Sequence, residues 1–343
     1  VAFNFLYTAV GLTMAVNNIP NVYGMLGDMN VSPGRGIAET YVRIDVQGSV
    51  VKVLPAVPRG GPSTLHERVS DKAVLIEVPH FPSMDLITPG DIQNLERVQN
   101  GQLQTVTVED ELNRRLEETR QPHDQTLEYM RVGALKGLIT DGAGNTLLNL
   151  YDAFDLSEQV FDLDLDNPNA DLIGICSAIY NHVTTNLLGE SFTEIQIPCS
   201  SSAFNRLVAH PKVEQYWLNQ EAATSMANMI REDKSGGKAG TRGRRFTFQN
   251  LTFVEYHGSV VLDDGTASPL IAANTGHAFP AGMRSGWETF FAPAHDIRQV
   301  NTMGTHIYVS PKELDHGEGI ELKTQSNPIS VLKKIGATAR IIM

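Results

Sequence analysis

The sequence predicts an α+β chain, and three observations carry the prediction. Residues 41–47 alternate, with Val42, Ile44 and Val46 set against Arg43, Asp45 and Gln47, which is the period of a half-buried strand. Residues 127–138 instead repeat apolar side chains at intervals of three and four, the period of one face of a helix. From Thr289 to Met343, Pro and Gly cut the chain into short β-prone runs. The order is arm, hairpin, long helix, mixed middle and β-rich return, an α+β arrangement. A chain of 343 residues has room for two domains, or for one with large excursions.

The first sixteen residues, VAFNFLYTAVGLTMAV, are apolar, but the first basic residue is Arg35, so they read as a docking arm and not a leader. No run approaches the roughly 20 apolar residues of a membrane span. Asn, Pro and Gly punctuate residues 17–36, which predicts loop with at most one turn of helix. After the alternating run, Gly48-Ser49 breaks the chain and Val50 to Leu54 resumes extended character, making a hairpin candidate. Another extended run, Ala73 to Val78, is stopped by Pro79 and Pro82. This region has too few apolar side chains for a core of its own, so it is expected to leave the body and lean on a neighbour.

Thr107 with Asp110 offers a helix cap, and the residues after it are rich in Glu and Arg. Pro122 predicts a kink or break. Beyond it, Leu127, Met130, Ala134, Leu135 and Leu138 form an apolar stripe, with Glu128 in the first turn and Arg131 and Lys136 nearer the end. The helix is expected to stop near Thr140, the Asp141–Asn145 turn to follow, and an extended run to begin at Thr146. The half before Pro122 is expected to be less buried. Downstream, Phe161, Leu163 and Leu165 alternate with Asp162, Asp164 and Asp166, as in a strand with an acidic outer face. Leu172, Cys176, Ile179, Val183 and Leu187 make a helical stripe. A second helical block runs from about Ser202 to Met229 with a break at Pro211, and 246–256 is strand-like.

No catalytic, cofactor or metal constellation emerges. The formal net charge of -12 argues against general affinity for nucleic acid or anionic membrane. The Asp162, Asp164, Asp166 pattern starts like a calcium loop, but Asn167 stands where the tight-turn Gly is needed and Ile173 where the closing Glu belongs. The His residues show no HExxH, and GKAGTRGRR lacks the Ser or Thr and the preceding strand of a phosphate loop. Ser200 to Ser202 sit in no GxSxG elbow and read as helix caps, while Cys176 and Cys199 read as buried packing residues. Lys234, Lys238, Arg242, Arg244 and Arg245 make a Gly-rich basic loop, either solvated or in contact with an anion or a second subunit. With no chemistry in view, function is expected to lie in assembly.

The helix motif HDQTLEYMRVGALKG with its turn TDGAGN, the central FTFQNLTFVEYHG, and the block from FFAPAHDIRQVNTMGTHIYVSPKELDHGEGIELKTQSNPISVLKK together resemble the lambda-type major capsid protein E family of tailed bacteriophages. The resemblance implies the shell fold of tailed phages and herpesviruses. That fold would comprise an N-terminal arm (1–40), an extended hairpin loop (41–90), a peripheral domain with a spine helix (91–165 and 286–343) and an axial domain (166–285). It also implies hexamers and pentamers of an icosahedral head around double-stranded DNA. Scaffolding protein, portal and a decoration protein are the implied partners, with no membrane partner, and the protein would be made in the host cytoplasm and reside in the virion. Two other readings are a cellular nanocompartment shell of the same fold, told apart by nucleic-acid content, and a soluble hydrolase, told apart by its small oligomeric state.

Overall fold

The computed structural model describes residues 8–19, 24–46, 72–93, 96–99, 102–105, 107–187, 189–218, 231–232 and 242–343. Its organising element is one helix, Val108–Lys136, 29 residues long. Thr107 and Asp110 form a reciprocal capping box at its start, so two otherwise orphaned backbone donors are satisfied by side chains. Of the expected kink or break at Pro122, the break does not occur: the helix is continuous across that position, because packing along its length outweighs one missing backbone bond. The half before Pro122 is the less buried one, as expected, but it has a packed inner side. Leu112 and Leu116 are sealed against Leu12 and Val16 of the N-terminal helix Ala9–Asn18 and against Ile307, Val309 and Leu322.

The helix ends at Lys136, where Gly137 takes a left-handed φ of 81°. The ring of Tyr151 leaves no room there for a Cβ. This corrects the assignment of Leu138 to the apolar stripe. Leu138 lies beyond the cap in the short strand Leu138–Thr140 and is 44% exposed, whereas Leu127, Met130, Ala134 and Leu135 are all buried. The Asp141–Asn145 turn therefore does not pass the chain from helix to strand. It closes a hairpin between Leu138–Thr140 and Thr146–Asn149, held by Asp141 accepting from the amides of Ala143 and Asn145.

The strand beginning at Tyr41 is present and pairs with Lys72–Glu77; Val50 to Leu54 lies outside the described residues. Val42, Ile44, Ile76 and Val78 are buried in the same cluster as Met130 and Leu135. The root of the arm thus belongs to the subunit's own core, contrary to the expectation that it is all borrowed contact.

A seven-stranded sheet forms the other body. Its order is Arg231–Glu232, Arg242–Phe248, Leu251–Tyr256, Glu194–Cys199, Thr275–Ala281, Ala339–Ile342 and Val160–Asp162. Helices Leu172–Asn186 and Ser201–Val208 bury Cys176, Ile179, Val183, Phe204 and Leu207 with its strands. The stretch 246–256 is a tight hairpin of two strands, turned at Gln249 and Asn250, both at positive φ. The boundaries drawn at 166 and 285 cut through this sheet, because Val160–Asp162 and Ala339–Ile342 are two of its strands, paired in parallel with each other. Two three-stranded sheets complete the fold. One joins Gly34–Gly36, Trp287–Phe291 and Pro328–Leu332, and the other joins Tyr308–Glu313, Ile320–Ser326 and Phe81–Ile87.

Candidate assembly interface

A subunit that must meet copies of itself needs surfaces held at fixed angles, and buried polar groups on the long helix do that here. Glu128 is almost wholly buried. Its carboxylate accepts from the amides of Leu26 (2.8 Å) and Gly27 (3.1 Å), from the Tyr256 hydroxyl (3.1 Å), and lies 3.5 Å from Arg131. Burial and the adjacent Glu128 carboxylate push the Tyr256 hydroxyl well above its ordinary pKa, so it stays protonated and donates. Arg131 donates in turn to Ser32 (3.1 Å). One helical turn thereby fastens residues 24–32 on one side and the large sheet on the other. Gly24, at φ 108°, lets the chain pass within 2.5 Å of Glu128 where a Cβ would stand.

A second set of groups holds the N-terminal helix. Arg120 binds Asp124 (2.9 Å) and donates to the carbonyl of Val16, while Asn17 donates to the carbonyl of Ile307 (2.9 Å). His123 contacts Ser326 (2.8 Å) and Thr324 (3.2 Å), and burial lowers its pKa to about 4. His306 sits 3.5 Å from Asp124, a contact that favours imidazolium. Burial, with the guanidiniums of Arg120 and Arg131, prevails and lowers it to about 3, so the ring is neutral.

The sequence-predicted basic loop is only partly in view. Lys234 and Lys238 lie outside the described residues, and Arg242 opens the strand Arg242–Phe248. Arg244 pairs with buried Glu255 (2.9 Å) and lies over the Phe204 ring at 4.9 Å; Arg245 reaches Glu194 at 3.8 Å. Burial pushes the Glu255 pKa up, but the Arg244 hydrogen bond and His257 bring it below the usual value. These two arginines are strand residues with acids of their own subunit, and not free loop cations. Of the acidic stretch, Asp171 caps the helix Leu172–Asn186, Asp166 pairs with Arg206, and Asp162 accepts from the Asp164 amide. Ser200, as expected, caps the helix Ser201–Val208. Both cysteines are buried and free, and burial pushes the Cys176 thiol up to about 12.

Sequence reasoning missed the anchoring role of Glu128, which it took for a favourable first-turn charge. The available signal was Gly24 and Gly27, spaced at one helical turn within an arm otherwise read as loop. No pattern in the sequence could state that they meet a side chain a hundred positions away.

A long helix packed on small sheets, a hairpin rooted in the core, a separate large sheet and buried polar anchors define a shell-forming protein. Residues 8–343 match phage major capsid protein E, and the chain belongs to that family. It is similar to the major capsid proteins of Salmonella phage Felix O1 (28% identity, over 92% of this chain and 90% of that protein) and Pseudomonas phage KPP10 (26%, over 96% and 94%). Among solved structures, the mature capsid of bacteriophage PhiM1 matches with a TM-score of 0.51 at 14% identity (94% of this chain, 87% of the other). A phage-related protein of Bordetella bronchiseptica RB50 matches at 0.53 and 9% identity (96% and 95%). These two show a shared fold. The protein is a structural component of the phage capsid, residing in the virion, and not an enzyme.

Proposed function

We propose that this major capsid protein forms the hexamers and pentamers of an icosahedral head that encloses double-stranded DNA. The observation that carries the reading is the match to the capsid family from residue 8 to residue 343. The part of the arm between its paired strands, residues 47–71, would reach onto the adjacent subunit, the long helix with the two three-stranded sheets would lie at the subunit periphery, and the seven-stranded sheet, which holds much of 166–285, would point to the capsomer centre. Scaffolding protein, portal and a decoration protein are the expected partners, and synthesis is expected in the host cytoplasm. Particles purified after expression should be closed shells by electron microscopy. A stable monomer at high concentration, with residues 41–78 ordered, would overturn the reading.

The basic segment fits a contact with the acidic surface of a neighbouring copy, assembly slowing as salt is added. Arg244 and Arg245 already pair with Glu255 and Glu194, so the test addresses Lys234, Lys238 and Arg242. Changing these three to Glu should slow assembly, followed by light scattering, while the subunit stays folded. Normal assembly with defective DNA filling would instead place the segment against the packaged genome.

A further inference from the structure

The segment between the strands Trp287–Phe291 and Tyr308–Glu313 carries three large apolar side chains into solvent: Ile297 is 90% exposed, Val300 59% and Met303 65%. Single exposed apolar residues are ordinary. Three of them at a spacing of three on one built loop are not. The loop is pinned throughout. Gln299 donates its amide to the Asp296 carbonyl (2.8 Å), Thr302 donates to that of Gln299 (3.2 Å), Gly304 to that of Ile37 (2.9 Å), and Arg298 pairs with Asp296 (3.1 Å). At its foot Gly304 passes so close to the backbone of Phe291 that no Cβ would fit. Ala292 and Ala294 on the same segment are buried, so the loop has an inner side packed on the subunit and an outer side on which the three apolar side chains stand exposed among Arg298 and Asn301.

We propose that this loop is a contact between copies of the chain in the shell, with Ile297 as its anchor seated against a neighbouring subunit. The inference rests on the shell-forming reading and deepens it. The size of the patch selects the occupant. A stable one-to-one complex buries roughly 800 Å² on each partner, and three side chains fall well short of that. Such a patch holds nothing by itself, and it becomes useful where every copy offers it and every copy receives it, so that many weak contacts act together.

Ile297→Asp and a triple variant with Ser at 297, 300 and 303 test the idea. Both should match the parent in circular dichroism and thermal midpoint, since the altered side chains touch little of their own subunit. The concentration needed for assembly should rise at least about tenfold, as for loss of an interface anchor. A photoreactive phenylalanine derivative at position 297 in assembled particles should cross-link to a second copy, read by mass spectrometry. Assembly at the parental concentration, or cross-links only within one chain or to a different polypeptide, overturns the proposal. If the unaltered chain forms no particles, the shell-forming reading fails and the loop contact with it; particles that tolerate Ile297→Asp reject the loop contact alone.

Discussion

Leu135 and Leu138 are adjacent in the helical pattern and opposite in environment, so they separate pattern from packing. Leu135 is 1% exposed within the main core, and Leu135→Asp places a charge there at a cost of several kcal/mol. Soluble expression and circular dichroism should show a chain that does not fold. Leu138→Asp, on an exposed strand beyond the cap, should shift stability by no more than about 0.5 kcal/mol. Glu128→Ala poses a different question, since it leaves the Leu26 and Gly27 amides, the Tyr256 hydroxyl and Arg131 without their common acceptor. A loss of about 3–5 kcal/mol is expected in urea denaturation of the dissociated subunit. Residues 24–32 should become open to protease before the global transition. Equal resistance in variant and parent would show that the arm is held by its apolar contacts instead.

At the scale of elements, legibility followed locality. The capping box, the helix Leu172–Asn186 and the break before Pro211 depend on neighbours in sequence and were readable there. The partner of Tyr41–Val46 was not, because apolar alternation states that a strand exists and not what it pairs with. Pro122 misled for a related reason: its local penalty is real, but Leu112 and Leu116 before it and Met130 and Leu135 after it each pack in clusters with distant strands. The hairpin gives a test with two arms. Replacing residues 47–71 by a short Gly/Ser linker keeps the paired strands and their buried side chains, and should leave a folded subunit that makes no shells. Replacing all of 41–78 also removes Val42, Ile44, Ile76 and Val78 from the core, and at about 1.5–3 kcal/mol for each buried side chain should prevent folding. Size-exclusion chromatography and microscopy of the two deletions distinguish root from tip; shells formed by the first would show the tip dispensable for assembly.

At the scale of the molecule, three histidines, His123 and His277 in the interior and the part-buried His306, make the subunit acid-sensitive. Burial lowers His123 to about 4 and, with help from nearby cations, His277 and His306 to about 3, against 6.5 in the unfolded chain. Between those values the unfolded state binds protons that the folded state refuses. The stability these neutral rings contribute is therefore complete above about pH 6.5 and is lost progressively as the pH falls through 4. The urea midpoint of dissociated subunits should drop between pH 7.5 and pH 5, and a flat profile would show the rings already charged in the native state. His306 contacts Asp124, which pairs with the Arg120 that holds the Val16 carbonyl, so the N-terminal helix should be among the first parts to loosen, measurable by hydrogen exchange.

The strand Ala339–Ile342 fills the gap between Thr275–Ala281 and Val160–Asp162 in the large sheet. Both flanking strands leave the ribosome long before it does. Until residues 339–342 emerge, each neighbour presents an unpaired edge and the cluster holding Leu163, Cys176 and Phe279's neighbour Ala278 lacks Ala339 and Ile341. Completion of the large sheet thus waits on a strand far downstream of the two that it joins. Topology in this way acts as a timer, keeping the sheet and the core beneath it open until that strand has been made.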